Sequence, residues 1–433
     1  MRRCLIFEQD RSGVIQSTRV ERNSVQQSRC DIIILGGGPT GLALALALGG
    51  IGAEVLVIEA RPLEQLADDA HDGRVTAIAA ASQRMLEAIG AWEGMAAQAQ
   101  PILDIEVGEP GTIGRVHYDH AELDEGPLGW IVENRLIRRA LIAALAACPG
   151  VTVEAPARAA TIDRDPSFVR LTLEDGTRAQ APLLAVCEGR FSTTRGRLGI
   201  RARQKRYGQT GIVCTLAHEK PHHGLAVERF FADGPFAMLP MIGSADDPHR
   251  SSIVWALEDG LAADVGALAG DAFAAEVQAR FGDMYGRLTL SGRRWSYPLV
   301  LVRAESYTTD RVALVGDTAC GIHPIAGQGW NLALRDVAAL AEITADRLRL
   351  GLDPGDAAAL AAYAGWRRFD GTTLVAVTDG INGLFANDVF PLALARETGL
   401  AMVEHLPPAK RFFMRHAMGL LGDLPRTMRG ALV

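Results

Sequence analysis

Gly36, Gly38 and Gly41 stand at G-x-G-x-x-G spacing between the apolar run 32–35 and a stretch of small apolar residues, 42–51. In this order the residue types make a pyrophosphate site. The first glycine lets a strand turn sharply, the second lets backbone approach phosphate, and the third lets the next helix pack on the strand. Unpaired N–H groups at the helix start then meet the phosphates, and the helix dipole favours their charge. A second apolar strand, 54–58, ends in Glu59. It lies about twenty residues past the glycines, where a carboxylate would hold the hydroxyls of an adenosine ribose. Arg61 can contact an adenosine phosphate or simply stand on the surface.

Two further turns carry an acid at a strand end. Val315-Gly316-Asp317 closes the late apolar run 311–315, and its carboxylate is suited to a sugar-alcohol chain. The segment 323–331 follows, where Gly327-Gln328-Gly329 opens a helix with Asn331 in its first turn. Backbone donors and a positive dipole end there suit an electron-rich ring edge, as in a reduced flavin. The third turn, Cys187-Glu188-Gly189-Arg190-Phe191-Ser192, ends the run 183–186. His323 is a candidate for proton transfer because of its titration range, with packing or a backbone hydrogen bond as the competing role. His222 and His223, after Pro221, read as exposed loop, since no further ligand stands at metal spacing. No metal is expected.

These turns need a buried parallel sheet to hold them, and a chain of 433 residues can bury one. Hydrophobic residues make up 48% and charged residues 22%, a globular balance. The net charge of -7 argues against general nucleic-acid binding. Six scattered cysteines without a C-x-x-C pair fit reduced thiols in the cytoplasm. The most apolar run falls well short of the roughly 20 residues that span a membrane.

Helical spacing marks residues 79–90 and 134–147, and strand alternation marks 168–173 before a turn at 174–177. Short strands dominate 206–300, as in an antiparallel sheet. The predicted fold is α/β. A Rossmann-like nucleotide domain (30–205 and 301–352) is interrupted by an antiparallel substrate domain (206–300) and followed by a helical region (353–433). Residues 1–29 are polar without a clear period and are expected to be a disordered extension. Phe236, Met238, Leu239 and Pro240 are expected either to roof an apolar site or to fill the sheet's core.

Together the three turns resemble the class A flavoprotein monooxygenases, the family of para-hydroxybenzoate hydroxylase. Asp72-Gly73-Arg74-Val75-Thr76, the segment 323–337 and Leu406-Pro407-Pro408-Ala409-Lys410 look more narrowly like the ubiquinone-biosynthesis hydroxylases, of the 2-polyprenyl-6-methoxyphenol hydroxylase type. The resemblance runs from about residue 30 to 431. It implies FAD held by Gly36, Gly38, Gly41 and Glu59, with Arg74 and Asn134 along the cofactor and Asp317 on the ribityl chain. Pro324, Gly327, Gln328, Gly329 and Asn331 would border the isoalloxazine. The family's middle motif carries Asp-Gly, whereas this chain has Glu188-Gly189, displacing the carboxylate by a methylene.

The implied reaction uses NADPH or NADH, O2 and a flavin C4a-hydroperoxide to hydroxylate a polyprenylated phenol. Other readings share the glycine motifs. A halogenase would carry a Trp-x-Trp-x-Ile-Pro signature, which the chain lacks. A prenyl reductase is opposed by the hydroxylase-like tail, and a non-catalytic lipid carrier by the retained ring-side loop. The tail 406–433 interleaves Lys410, Arg411, Arg415, Arg426 and Arg429 with phenylalanines, methionines and leucines. Such a tail can lie on the inner membrane's cytoplasmic surface, join a complex of biosynthetic enzymes, or pack back on the body.

Overall fold

The computed structural model describes residues 3–9, 15–21, 28–67, 73–109, 114–322, 327–368, 370–371 and 402–431. At its centre, strands Val151–Glu154, Val55–Ile58, Ile32–Leu35, Leu183–Val186 and Val312–Leu314 lie side by side in that order, all parallel. Ile32–Leu35, Val55–Ile58 and Leu183–Val186 are buried at every position. Such continuous apolar runs, without alternation, belong to a parallel sheet covered on both faces. Helix Pro39–Gly49 covers one face. Proline at its start and the absence of any charged side chain suit a buried helix. Its four leucines are almost fully buried, each worth roughly 1.5–3 kcal/mol.

Helix Asn134–Ala144 matches its expected start, and Gly329–Arg349 matches the late helix. Smaller sheets flank the main one. Val75–Ala79, Gly129–Glu133 and Gln100–Ile102 form a three-stranded sheet, and Ala159–Arg164, Val169–Leu173, Arg178–Ala181 and Ser28–Arg29 a four-stranded one.

Within residues 1–29, expected as a disordered extension, Arg3–Gln9 and Ile15–Glu21 pair as antiparallel strands on the edge of the main sheet, with Leu5 opposite Val153. An edge strand can be held by backbone hydrogen bonding without a hydrophobic period. The substrate sheet also exceeds 206–300 and its strands are not all short. Ala202–His218 and Leu288–Ala304 run 17 residues each, and helices Asp259–Ala267 and Gly270–Phe281 cover one face. Asp104–Gly108 and Arg115–Asp119, far earlier in the chain, complete its other edge, and Asp104–Gly108 pairs in parallel with Leu225–Phe231. That pairing is long-range and leaves no local mark.

Beyond residue 353 the described chain is helical at 357–368, 370–371 and 402–405, then Pro407–Ala417, with a final 3-10 turn at Arg426–Arg429. No helix among the described residues is long and apolar enough to cross a membrane.

Candidate active site

A cleft of about 830 Å³ opens at the C-terminal ends of the parallel strands. Open parallel sheets bind ligands at this edge. Gly36 and Gly38, Glu59, Glu188 and Gly189, and Asp317 each follow a different strand and all line the cleft. Arg74, Asn134 and Gly329 join them.

The glycines divide by what they face. A Cβ on Gly41 would lie 1.9 Å from the Gly36 carbonyl oxygen, and one on Gly36 would lie 2.6 Å from the Cys187 oxygen. The protein's own backbone requires both. Beyond their own chain neighbours and helix backbone, Gly38 and Gly329 have no atom of the described residues within 4 Å of that position, and both border the cleft. Each sits at the start of a helix whose first turn has no side-chain cap, Pro39–Gly49 and Gly329–Arg349.

Glu59 is buried. Its Oε2 accepts the Gly37 N–H at 2.7 Å and its Oε1 accepts the Arg61 N–H at 2.8 Å. The acid therefore holds the glycine turn in place at the cleft wall. Arg61, more than half exposed, pairs with it at 3.4 Å.

Glu188 answers the question raised by its extra methylene. Its carboxylate accepts the Ser192 hydroxyl at 2.6 Å and the Thr194 hydroxyl at 2.8 Å, closing its own loop. The neighbouring Gly189 N–H donates to Thr318 Oγ1 at 2.9 Å, tying this turn to the Asp317 turn. Arg190 completes the link, with Nη2 donating to Asp317 Oδ2 at 2.8 Å. Arg195 is buried and donates to the Thr318 carbonyl at 2.8 Å. Sequence reasoning missed Arg190, Ser192, Thr194, Arg195 and Thr318. The signal for Ser192 was available, since a serine before a short helix is a capping residue, and it accepts the Arg195 N–H.

At the ring-side loop the side chains point to structure. Asn331 accepts the Ala79 N–H at 3.0 Å and donates to the Ala77 carbonyl at 2.9 Å, so it clamps the late helix to strand Val75–Ala79. Gln328 donates to the Ala417 carbonyl at 3.4 Å. Gly41, Gly327, Gln328 and Asn331 do not line the cleft. Asn134 accepts the Thr76 hydroxyl at 2.7 Å, and the Arg74 guanidinium stands 5.4 Å from the Tyr297 ring centre. His323, Pro324 and Asp72 lie outside the described residues.

Beyond that loop is an apolar cluster that includes Ile102, Leu128, Met241, Met414 and Met418, with Val75, Ala77 and Leu239 packed on it. The four residues expected as a roof divide by strand parity. Phe236 and Met238 belong to a different cluster, with Trp255 and Phe273 from the sheet and its covering helix, and Leu239 alone of the four packs on the ring-side cluster. Of the two histidines expected as exposed loop after Pro221, His222 is half-buried. His222 Nε2 bonds the Met241 carbonyl oxygen at 3.0 Å, His223 is exposed, and no cluster fit for a metal exists among the described residues.

The residues present fit FAD. The helix start at Gly38, with Arg61 and Arg74 on the same cleft, suits a pyrophosphate, and the helix start at Gly329 suits an electron-rich ring edge. The open space over Gly38 and Gly329 leaves room for close approach, and the carboxylates of Glu59, Glu188 and Asp317 line the same cleft.

Comparison with known proteins agrees. The family model for an FAD binding domain matches residues 29–374. The chain is 47% identical over 403 residues to ubiquinone hydroxylase UbiL of Rhodospirillum rubrum, covering 92% of each. It is 32% identical to 3-demethoxyubiquinol 3-hydroxylase of Escherichia coli K12, covering 90% of this chain and 98% of that one. Among solved structures, p-nitrophenol 4-monooxygenase PnpA from Pseudomonas putida shares the fold, with a TM-score of 0.73 at 17% identity, over 92% of this chain and 100% of that one. With a cleft built for FAD and relatives spanning nearly its whole length, the chain belongs to the ubiquinone-biosynthesis hydroxylase family of FAD-dependent monooxygenases.

Proposed function

We propose that this chain hydroxylates a ring carbon of a polyprenylated phenol in ubiquinone biosynthesis, taking electrons from NADPH or NADH and one oxygen atom from O2. The other oxygen atom leaves as water, so the reductant's two electrons balance the reaction. Bound FAD supplies the redox chemistry, accepting hydride and activating O2. Glu59 would hold the adenosine ribose, the helix start at Gly38 the pyrophosphate, and Asp317 the ribityl hydroxyls. Arg74 and Asn134 would lie along the cofactor. Glu188 and Gly189 brace the Asp317 turn. Gly327, Gln328, Gly329 and Asn331, with Pro324, would border the ring.

The observation that carries this reading is that strand Val75–Ala79 serves both sides. Its backbone anchors Asn331 of the ring-side loop, while Val75 and Ala77 pack on the apolar cluster. A greasy ring held there would be oriented against the cofactor with water kept out. In an 18O2 atmosphere, the purified protein with NAD(P)H and a short-chain prenylated phenol should give a product bearing one heavy oxygen. Reductant oxidation without labelled product would overturn the reading.

The same reading places the chain in the cytoplasm, at the surface of the inner membrane where such a phenol dissolves. Helix Pro407–Ala417 buries Lys410 and Met414 against the body and leaves Phe412 and Phe413 exposed, beside Arg411 and Arg415. Met402 and Leu406, just before this helix, are exposed as well. Aromatic rings among arginines suit an anionic leaflet. Phe412→Ser with Phe413→Ser should abolish co-sedimentation with anionic vesicles while leaving the melting temperature unchanged. Failure of the wild-type protein to co-sediment would favour association with partner enzymes instead, and full retention of the variant would remove Phe412 and Phe413 from the contact.

A further inference from the structure

Gly316 sits at φ +63° immediately before Asp317, and a Cβ there would press on Ala333 and Thr40 at 3.0 Å. The N–H of this turn is buried and is satisfied by a side chain, Asp336 Oδ2, at 2.9 Å. Asp336 lies about two turns along the late helix from Gly329 and is 1% exposed. Its Oδ1 accepts Arg367 Nε at 2.6 Å, and Arg367 is 0% exposed. The guanidinium continues through Nη1 to Asp370, which also takes Arg335 Nη1 at 3.2 Å. Tyr363, one turn before Arg367, donates its hydroxyl to the Leu314 carbonyl at 2.8 Å, so the same helical segment grips the strand leading into the turn.

A fully buried ion pair is a poor source of stability. Taking both charges out of water costs about as much as their attraction returns, and apolar replacements of similar volume are often neutral or stabilising. What such a pair supplies is direction, and here one end of it is bonded to the backbone that aims Asp317.

We propose that Asp336, backed by Arg367, is a positioning residue for the cofactor, fixing the Gly316 turn so that Asp317 presents its carboxylate to the ribityl chain. This rests on the reading of Asp317 as a flavin contact. Asp336 does not line the cleft and acts only through the turn.

The test is FAD affinity of the apoprotein, by quenching of flavin fluorescence, alongside thermal melting. Asp317→Asn should weaken binding about tenfold, the cost of one lost hydrogen-bonding carboxylate. Asp336→Asn should weaken it by a comparable factor, and the double variant should bind no worse than the weaker single one. The apolar pair Asp336→Leu with Arg367→Met should recover the melting temperature but not the affinity. Wild-type affinity in Asp336→Asn, multiplication of the two factors, or recovery of affinity by the apolar pair would each overturn the inference. Wild-type affinity in Asp317→Asn would instead overturn the reading of Asp317, and the inference with it. If Asp336→Asn does not fold, Arg367→Lys keeps the charge, loses the fork, and should still weaken FAD binding; wild-type affinity there would overturn the inference.

Discussion

At the nucleotide cleft, Gly36 and Glu59 stand directly after strands of the central parallel array, and Glu188 and Asp317 stand two and three residues after theirs. At the apolar cluster beyond the ring-side loop, Ile102, Leu128, Met241 and the pair Met414 and Met418 come from four separate parts of the chain. The cleft is made by local turns whose geometry follows from a few residues. The apolar shell is made by strand parity and by a terminal helix that folds back. A change in the cleft should therefore act at one atom, whereas a change in the shell should act through packing.

The largest effect is expected where the cleft's backbone touches itself. Gly41→Val would drive a side chain into the Gly36 carbonyl and should cost on the order of 4 kcal/mol or more in apoprotein stability. Chemical denaturation measures it. A loss under about 1 kcal/mol would show that the turn yields more than this account allows.

The shell should answer more gradually. Met414→Ala and Met418→Ala each remove a side chain at most 1% exposed and should cost about 2–5 kcal/mol. The exposed Phe412 and Phe413, on the same helix, should cost less than about 0.5 kcal/mol each when changed to serine. Equal costs on the two faces would remove the distinction between packed and free sides. Removing residues 408–433 would also strip Met414, Met418 and Met428 from the core, so this deletion should lower stability as well as any membrane contact.

Legibility in the sequence follows the same division. The glycine turn, Glu59, the Asp317 turn and the late helix were readable because strand, turn and helix are adjacent in the chain. The role of Glu188 was not, because its partners Ser192 and Thr194 look like ordinary loop residues. Neither was the assignment of Asn331 to a clamp, since its partners Ala77 and Ala79 are more than 250 residues away. The roof was half legible. The apolar run 236–241 was visible, but which of its residues face the apolar cluster is decided by helices Asp259–Ala267 and Gly270–Phe281 claiming the other face.

Glu59 gives a smaller test. Glu59→Ala removes the acceptor of two backbone N–H groups and the proposed ribose contact, and should weaken FAD binding by roughly 1–3 kcal/mol in an apoprotein titration. Unchanged affinity would leave Glu59 a support of the turn alone.

The smallest expected effect lies in the substrate domain, away from both sites. His218 is buried; its Nδ1–H donates to the Lys220 carbonyl and its Nε2 accepts from Ser251, an arrangement that suits the neutral ring. Burial holds both His218 and His222 below the ordinary histidine range. Below about pH 6.5 the unfolded chain then binds protons that the folded state refuses. Stability should decline on acidification from that point and level off once the folded-state histidines also protonate. His218→Gln should flatten the slope of melting temperature against pH; an unchanged slope would assign it to other groups.

The central claim is that the space above Gly38 and Gly329 belongs to the cofactor and not to the protein. Gly38 has φ -71° and ψ 178°, which valine also adopts, and beyond each glycine's own chain neighbours and helix backbone no atom of the described residues lies within 4 Å of a built Cβ. Gly38→Val and Gly329→Val apoproteins should melt with the wild type and bind FAD at least about tenfold more weakly, since the new side chain fills the ligand's place. FAD binding at wild-type affinity by both variants would contradict the account.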